Sequence, residues 1–204
     1  MSFTPHMPRR IAVLAAAAGL LLAPLTGCGA DGTPEASAGA PSPTRSARTE
    51  HAPDAPAAPA PTRVVVPSVG VDSTLMRLGL NQDGTVEVPP AEKGMTAGWY
   101  AGGAVPGEPG AAVLIGHNST RFGKAVFHDL HEITEGADIT VSDGAGGEAH
   151  FTVTGKETVR KDGFPTEKVY GATGERVLRL ITCDGDFDAE GHPVDNLIVY
   201  ATLR

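Results

Sequence analysis

Residues 174–185 read GERVLRLITCDG, in which a short apolar run ends in a cysteine followed by acidic and turn-forming residues. The run has the length and the β-branched content of a strand, and successive side chains of a strand point to opposite faces. The predicted face of the cysteine carries Val177, Arg179, Ile181 and Cys183. A thiol that shares a face with a guanidinium at a strand end is either a reactive group or a small hydrophobic side chain, and a partner residue must decide between them.

The residues around this stretch predict more strands of the same kind. Short segments rich in β-branched residues alternate with Gly, Pro, Asn and Asp. These segments are residues 62–71, 73–80, 84–90, 111–117, 137–143, 147–160, 175–183 and 196–204. Short helices are predicted only at 124–133 and 165–171. Many short strands separated by turn signals indicate a mainly β fold, either a barrel or a sandwich.

The first 28 residues predict an export signal. Two arginines precede the apolar run IAVLAAAAGLLL at 11–22, which is shorter than the ~20 residues that a membrane-spanning helix needs. The sequence LTGC, which ends at Cys28, resembles the lipobox of bacterial lipoproteins, and this resemblance implies that Cys28 becomes the lipidated first residue of the mature chain. A retained N-terminal membrane anchor is the alternative.

Residues 29–62 are rich in Ala and Pro and have no hydrophobic period, so we expect a disordered tether before a domain at 63–204. The chain has two cysteines, but nothing in such a tether would fix Cys28 beside Cys183. We therefore expect no disulfide between them, and Cys183 is predicted to be a free thiol.

The charge of the predicted domain bears on its partners. Residues 64–204 contain 11 basic and 20 acidic residues, a net charge near −9. They also contain no cluster of Lys and Arg, and so much negative charge repels a phosphate backbone. A nucleic-acid partner is not expected.

His117 is the predicted partner of Cys183. It ends the apolar run AAVLIGH at 111–117 and precedes the polar residues NSTRFG, so a strand would deliver its imidazole into a loop. A thiol beside an imidazole indicates nucleophilic catalysis, and acyl transfer is its usual reaction class. His128 and His131 have the spacing of a metal-ligand pair but no third ligand, so we expect a surface pair and no metal site.

Several segments resemble the catalytic domain of sortases, with a layout closest to that of the actinobacterial class F group. The similar segments are VVVPSVGVDSTLMRLGL (64–80), VEVPP (86–90), GWYAGGAVPGEPGAAVLIGHNS (98–119), LHEITEGADITV (130–141), RLITCDG (179–185) and DNLIVYATLR (195–204). The most specific parts are the Gly-His pair that closes one strand and the Leu-Ile-Thr-Cys string that closes another, 66 residues later.

This resemblance implies a closed sortase-type β-barrel with short helices in the connections. It also implies that Cys183 cleaves a sorting signal of a surface protein through a thioester and transfers the acyl group to a cell-wall peptidoglycan amine, with hydrolysis as a side activity. His117 would be the acid and base, and Thr182 would position the substrate or its oxyanion. No cofactor is implied, and the expected location is the outer face of the cell membrane, with the chain anchored through Cys28.

The sequence departs from the sortase pattern at one position. Sortases carry an arginine just before the final strand, where this chain has Val194 or Asn196, depending on how the segment is counted. Asn196 and Arg179 are the candidate replacements for this arginine. Asn196 would lie opposite Cys183, and Arg179 would contact a more distant part of the substrate peptide. The departure leaves open a second function, a catalytically impaired, peptide-binding lipoprotein. An L,D-transpeptidase also uses Cys and His, but its Ser/His-x-Gly-Cys surroundings are absent here.

In the stretch between Asp184 and Asp195, acidic residues alternate with other residues as they do in a calcium-binding loop. Ala189 stands where the EF-hand pattern has its glycine. We therefore expect a solvated acidic loop rather than a calcium site.

Overall fold

The computed structural model describes residues 58–189, 191 and 193–204. The predicted export signal, Cys28 and most of the predicted tether therefore lie outside the described residues, as do Glu190 and His192. No helix among the described residues is long and apolar enough to cross a membrane.

Eight strands close into one barrel, in the order β1-β2-β3-β4-β9-β10-β8-β7, and β7 pairs with β1 to complete the circle. The barrel strands are β1 (Pro61–Val66), β2 (Val71–Leu78), β3 (Ala97–Tyr100), β4 (Gly110–Ile115), β7 (Asp138–Asp143), β8 (Glu148–Arg160), β9 (Arg176–Phe187) and β10 (Pro193–Leu203). A separate two-stranded hairpin consists of β5 (Ser119–Thr120) and β6 (Gly123–Lys124). The mainly β, closed-barrel fold predicted from the sequence is confirmed.

Most neighbouring strands are antiparallel, but β3 runs parallel to β2, and β9 runs parallel to β4. The β4–β9 pair joins segments that lie far apart in the chain. Because parallel strands run in the same direction, the carboxyl ends of β4 and β9 meet at the same end of the barrel. That end carries the candidate site.

Alternating side chains divide the apolar residues into two clusters. The first fills the barrel interior and contains the aromatic residues Phe127 and Phe151 together with Leu178 and Leu180 of β9. The second lies on the outside, where residues such as Ile181 pack with the helix α1 (Thr166–Tyr170). The predicted period of two along β9 therefore holds, and Cys183 shares the outward-facing parity of Ile181.

Two predicted segments have a different structure, and three strands were missed. The segment 84–90 is not a strand and contributes only the isolated bridge between Leu80 and Val86. The segment 124–133 contains a 3-10 turn (Leu130–Glu132) instead of a longer helix, whereas the short helix predicted at 165–171 is present as α1. The strands β3, β5 and β6 were not predicted.

Candidate active site

A groove of about 680 Å³ opens on the outer face of the barrel, where the carboxyl end of β4 lies beside the middle of β9. Its lining includes Cys183, His117, Thr182 and Asn196. Apolar side chains form most of its walls, among them Leu80, Val86, Val88, Ile115, Phe164 and Ile181. Four of the five predicted site residues within the barrel thus meet at one concave surface.

Cys183 lies within β9 rather than at its end, because the strand continues to Phe187. The prediction of a strand-end cysteine was therefore wrong. Asn196 of β10 lies directly opposite Cys183 in the antiparallel register, as the sequence predicted for these two strands. Side chains directly opposite each other in such a pair share a face and have Cβ atoms about 5 Å apart. Cys183 is a half-buried free thiol.

His117 follows β4 by two residues and lies beside the strand of Cys183. The parallel register pairs Ile115 with Ile181, and the Gly116 N–H then donates to the Ile181 carbonyl at 3.1 Å. Continuing this register by two residues brings His117 level with Cys183 on the neighbouring strand, β9. The Asn118 side-chain amide donates to the Cys183 carbonyl at 3.2 Å, which holds the two segments together beyond the end of β4.

The imidazole of His117 is oriented by a backbone carbonyl. Its Nε2 lies 2.6 Å from the Pro89 oxygen. A carbonyl can only accept a hydrogen bond, so Nε2 carries a proton and donates it, and in the neutral ring Nδ1 is then unprotonated and able to accept a proton. This tautomer leaves one ring nitrogen available as a base.

The packing around Gly116 explains why a glycine precedes the histidine. A Cβ at this position would lie 2.6 Å from Cδ2 of Phe127 and 2.7 Å from Cγ1 of Val126. The Phe127 N–H also donates to the His117 carbonyl at 2.9 Å, so the segment after the hairpin packs directly on this turn. A larger residue would displace the histidine or the packed ring.

Thr182 is almost fully buried, with 2% of its surface exposed. Its Oγ1 has no hydrogen-bond partner among the described residues, although the residue lines the groove. A buried hydroxyl without a partner is uncommon in folded proteins and is costly. Its place in the alternation of β9 is that of Leu178 and Leu180, so the hydroxyl faces the barrel interior rather than Cys183.

Arg179 does not line this groove. Its guanidinium packs over the Tyr200 ring at 4.7 Å and faces a separate depression that also holds Lys168 and Glu157. Burial lowers the pKa of Arg179 from its ordinary value. The structure therefore groups Asn196, and not Arg179, with the cysteine. Val194, the other position considered for the missing arginine, lies in β10 and is also absent from the groove lining.

An aromatic wall of the groove was missed in the sequence. Tyr100 and Tyr170 pack edge to face with ring centroids 5.7 Å apart, and Phe164 lies 6.1 Å from Tyr170. Burial, with a smaller contribution from Tyr100, raises the pKa of Tyr170 to about 12, so its hydroxyl stays neutral at physiological pH. Each residue looked ordinary in isolation, and only the approach of α1 to β3 brings them together.

The other polar candidates lie outside the groove. The His128 Nδ1–H donates to the Asn118 carbonyl at 3.1 Å, and the His131 Nδ1–H donates to the His128 carbonyl at 3.1 Å. The predicted acidic loop is shorter than expected because β9 and β10 extend into it, and Asp184 accepts a hydrogen bond from Thr158 at 2.8 Å. Within the described ranges, no group of three or more His, Cys, Asp or Glu side chains could hold a metal ion.

A closed barrel with a cysteine on one strand and a histidine just after the neighbouring strand has the arrangement of a cysteine-dependent acyl-transfer enzyme. The sortase domain profile matches residues 64–204. The chain belongs to the sortase family. A search of curated protein sequences gave no significant match.

Solved sortases share the fold at low sequence identity. Sortase C-1 from Actinomyces oris has 22% identity and a TM-score of 0.56, with 70% of this chain and 71% of that chain covered. A lid mutant of Streptococcus agalactiae sortase C1 has 21% identity and a TM-score of 0.54, with coverages of 70% and 67%. Sortase A from Corynebacterium diphtheriae has 18% identity and a TM-score of 0.56, with coverages of 72% and 61%. The chain thus spans 61% to 71% of the length of these three.

Proposed function

We propose that this chain is a cysteine transpeptidase of the cell surface that acts on a sorting signal of another surface protein. Membership of the sortase family and the sortase fold support transpeptidase chemistry in general. The observation that carries the specific proposal is that Cys183 of β9 and His117, just after the neighbouring strand β4, line one mainly apolar groove. Such a groove suits an extended peptide with apolar side chains.

In the proposed first step, Nδ1 of His117 accepts the thiol proton and the thiolate of Cys183 attacks the carbonyl carbon of the scissile peptide bond. The Asn196 amide, directly across from Cys183, donates a hydrogen bond to the developing oxyanion. The C–N bond then breaks, the imidazolium gives its proton to the leaving amine, and the N-terminal part of the substrate remains on Cys183 as a thioester.

In the second step, an amine of the cell-wall peptidoglycan attacks the thioester. His117 accepts the amine proton, the new amide forms, and the thiolate of Cys183 leaves and is protonated again. If water takes the place of the amine, the product is a free carboxylate, which accounts for the proposed hydrolase side activity. The class F assignment belongs to the same proposal and rests on the similar segments of the sequence.

The proposed location is the outer face of the membrane, with the chain anchored by lipid on Cys28. The short apolar run and the LTGC string support this proposal, as does the Ala/Pro-rich segment that would separate the barrel from the membrane. Fatty-acid labelling that is lost in Cys28→Ala is the expected result. An unlabelled chain that retains residues 11–22 would contradict lipidation and favour an uncleaved anchor.

One observation favours the second candidate, a peptide-binding lipoprotein without turnover. No arginine is among the described residues that line the groove, so a cationic donor that sortases place there is missing. The experiment that separates the two candidates incubates the chain with a panel of sorting-type peptides and a peptidoglycan-like amine, and follows the products by mass spectrometry. Transpeptidation predicts a peptide–amine conjugate that Cys183→Ala does not form, whereas tight binding without any product would favour the binding protein.

A further inference from the structure

The groove contains one formally charged side chain among the described residues that line it, the ammonium of Lys161. Neither a carboxylate nor a guanidinium is part of that lining. The surrounding domain is acidic, with a net charge near −9 over residues 64–204. A lone ammonium in a mostly apolar groove is therefore a local reversal of the charge of the domain.

Lys161 occupies a defined place beside the reacting group. It is the first residue after β8 and begins the 3-10 turn Lys161–Gly163. The registers of the three adjacent strands align Val159 of β8 with Asn196, and Asn196 with Cys183. Residues aligned in this way share a face, and Lys161 is two residues beyond Val159, so the turn extends the same outward-facing row.

The spacing of the strands gives the approximate distance from the cysteine. Two strand spacings amount to about 10 Å, and two residues along β8 add about 7 Å at right angles, so the Cα atoms of Lys161 and Cys183 are separated by about 12 Å. An extended peptide advances by about 3.3 Å per residue. The ammonium of Lys161 can therefore meet a substrate side chain within about three residues of the scissile bond.

No other group in the described part of the chain holds this ammonium through a hydrogen bond or an ion pair. Two of the nearby carboxylates have other partners: Asp162 accepts from Arg160 Nε at 3.3 Å, and Asp184 accepts from Thr158 at 2.8 Å. Lys161 is exposed, and its side chain has a long, flexible stem with three donors. It is thus available to a ligand in the groove.

We propose that Lys161 is a specificity-determining residue that makes the groove select peptides with an acidic side chain close to the scissile bond. This inference rests on the proposed function and names the substrate class of the same site: an otherwise apolar sorting segment that carries one carboxylate near the cleaved bond. The apolar walls bind the uncharged residues, and the ammonium pairs with the carboxylate. A basic residue at the same position is rejected by like-charge repulsion.

The test uses the full-length chain and a set of peptides in which Glu, Gln or Lys is placed in turn at each of the three positions on either side of the scissile bond. At one position the parent chain prefers the Glu peptide over the Lys peptide by about tenfold in kcat/KM. The Glu side chain attracts the ammonium of Lys161 and a Lys side chain repels it, and each exposed charge pair contributes only modestly. Lys161→Gln removes this preference, and Lys161→Glu reverses it. High salt weakens the preference of the parent.

Arg160→Gln is the matched control. Arg160 is the adjacent cation, pairs with Asp162 and is not part of the groove lining. Its replacement leaves the preference unchanged. A parent chain without a charge preference, or a preference that survives Lys161→Glu, overturns the proposal.

A binding experiment keeps this inference separate from the proposed chemistry. Fluorescence anisotropy with Cys183→Ala measures the affinity for the same peptides without turnover. If the parent forms no product but Cys183→Ala binds the Glu peptide more tightly than the Lys peptide, and Lys161→Glu in the same background reverses this order, the role of Lys161 stands while the transpeptidase proposal fails. If Cys183→Ala and Cys183→Ala with Lys161→Glu each bind the Glu and Lys peptides with equal affinity, the role of Lys161 is contradicted, whether or not the parent forms product.

Discussion

Among single residues, the alternation of side chains along β9 decides which of them reach the groove. Alternation alone placed Cys183 with Ile181 and away from the barrel interior, and the two apolar clusters show this division. Parity did not reveal that Arg179, on the same face, turns away over Tyr200. Nor did the sequence single out Lys161, since a lone lysine after a strand has no recognisable pattern.

The cross-strand position of Asn196 makes a kinetic prediction. Asn196→Ala lowers the rate of acyl transfer by at least about tenfold with the fold intact, since a donor aimed at a developing oxyanion stabilises the transition state more than the ground state. Arg179→Ala is the control and changes the rate by less than about twofold, because its guanidinium lies in another depression. Single-turnover kinetics on both variants check this, and a collapsed rate for Arg179→Ala beside an unchanged rate for Asn196→Ala would reverse the assignment.

At the scale of elements, the wrong predictions have identifiable physical reasons. The segment 124–133 is predicted to be a short helix although it lacks a convincing amphipathic stripe. Its residues Val126, Phe127, Leu130 and Ile133 are all buried in the barrel core without a helix of that length. The segment 84–90 contains Pro89 and Pro90, which cannot donate to a sheet, and it serves as a wall of the groove. In both cases contacts with the rest of the barrel decide the conformation, and the local sequence pattern does not reveal them.

The outer face of β8 and β10 gives a prediction about pH. Lys168 donates to Glu157 at 2.7 Å and Tyr200 also donates to it, and these bonds hold the pKa of Glu157 below its ordinary value of 4.5. A carboxylate whose pKa is lower in the folded state stabilises the protein above its unfolded pKa, and this contribution is lost as the pH falls through the lowered value.

Glu157→Gln should therefore lower the free energy of unfolding at pH 7, by less than about 1 kcal/mol because the pair is partly exposed. The difference from the parent should shrink in acid, as the pH falls below the ordinary range of a glutamate and through the lowered pKa of Glu157. Urea unfolding at pH 7 and in acid measures it, with the exposed Glu108→Gln as control. A difference that persists or grows in acid would show that the ionised carboxylate is not the stabilising form.

At the scale of the whole molecule, the closed barrel was predictable because many short strands with turn signals, together with the sortase-like segments, pointed to one architecture. The order of the strands was not predictable from alternation. The parallel pairing of β4 with β9 brings His117 level with Cys183, residues that lie 66 positions apart in the chain. This long-range pairing is the step that turns two weak local signals into one candidate site.

Cys183 carries the acyl group in the proposed mechanism, and trapping of the thioester intermediate is the decisive test. The chain is incubated with a cleavable sorting-type peptide without an amine acceptor, quenched in acid, and analysed by intact mass and peptide mapping. The proposed mechanism predicts a mass gain equal to the N-terminal part of the peptide, located on Cys183, released by hydroxylamine and absent from Cys183→Ala. An acyl group on another residue, or undiminished cleavage by Cys183→Ala, would contradict it.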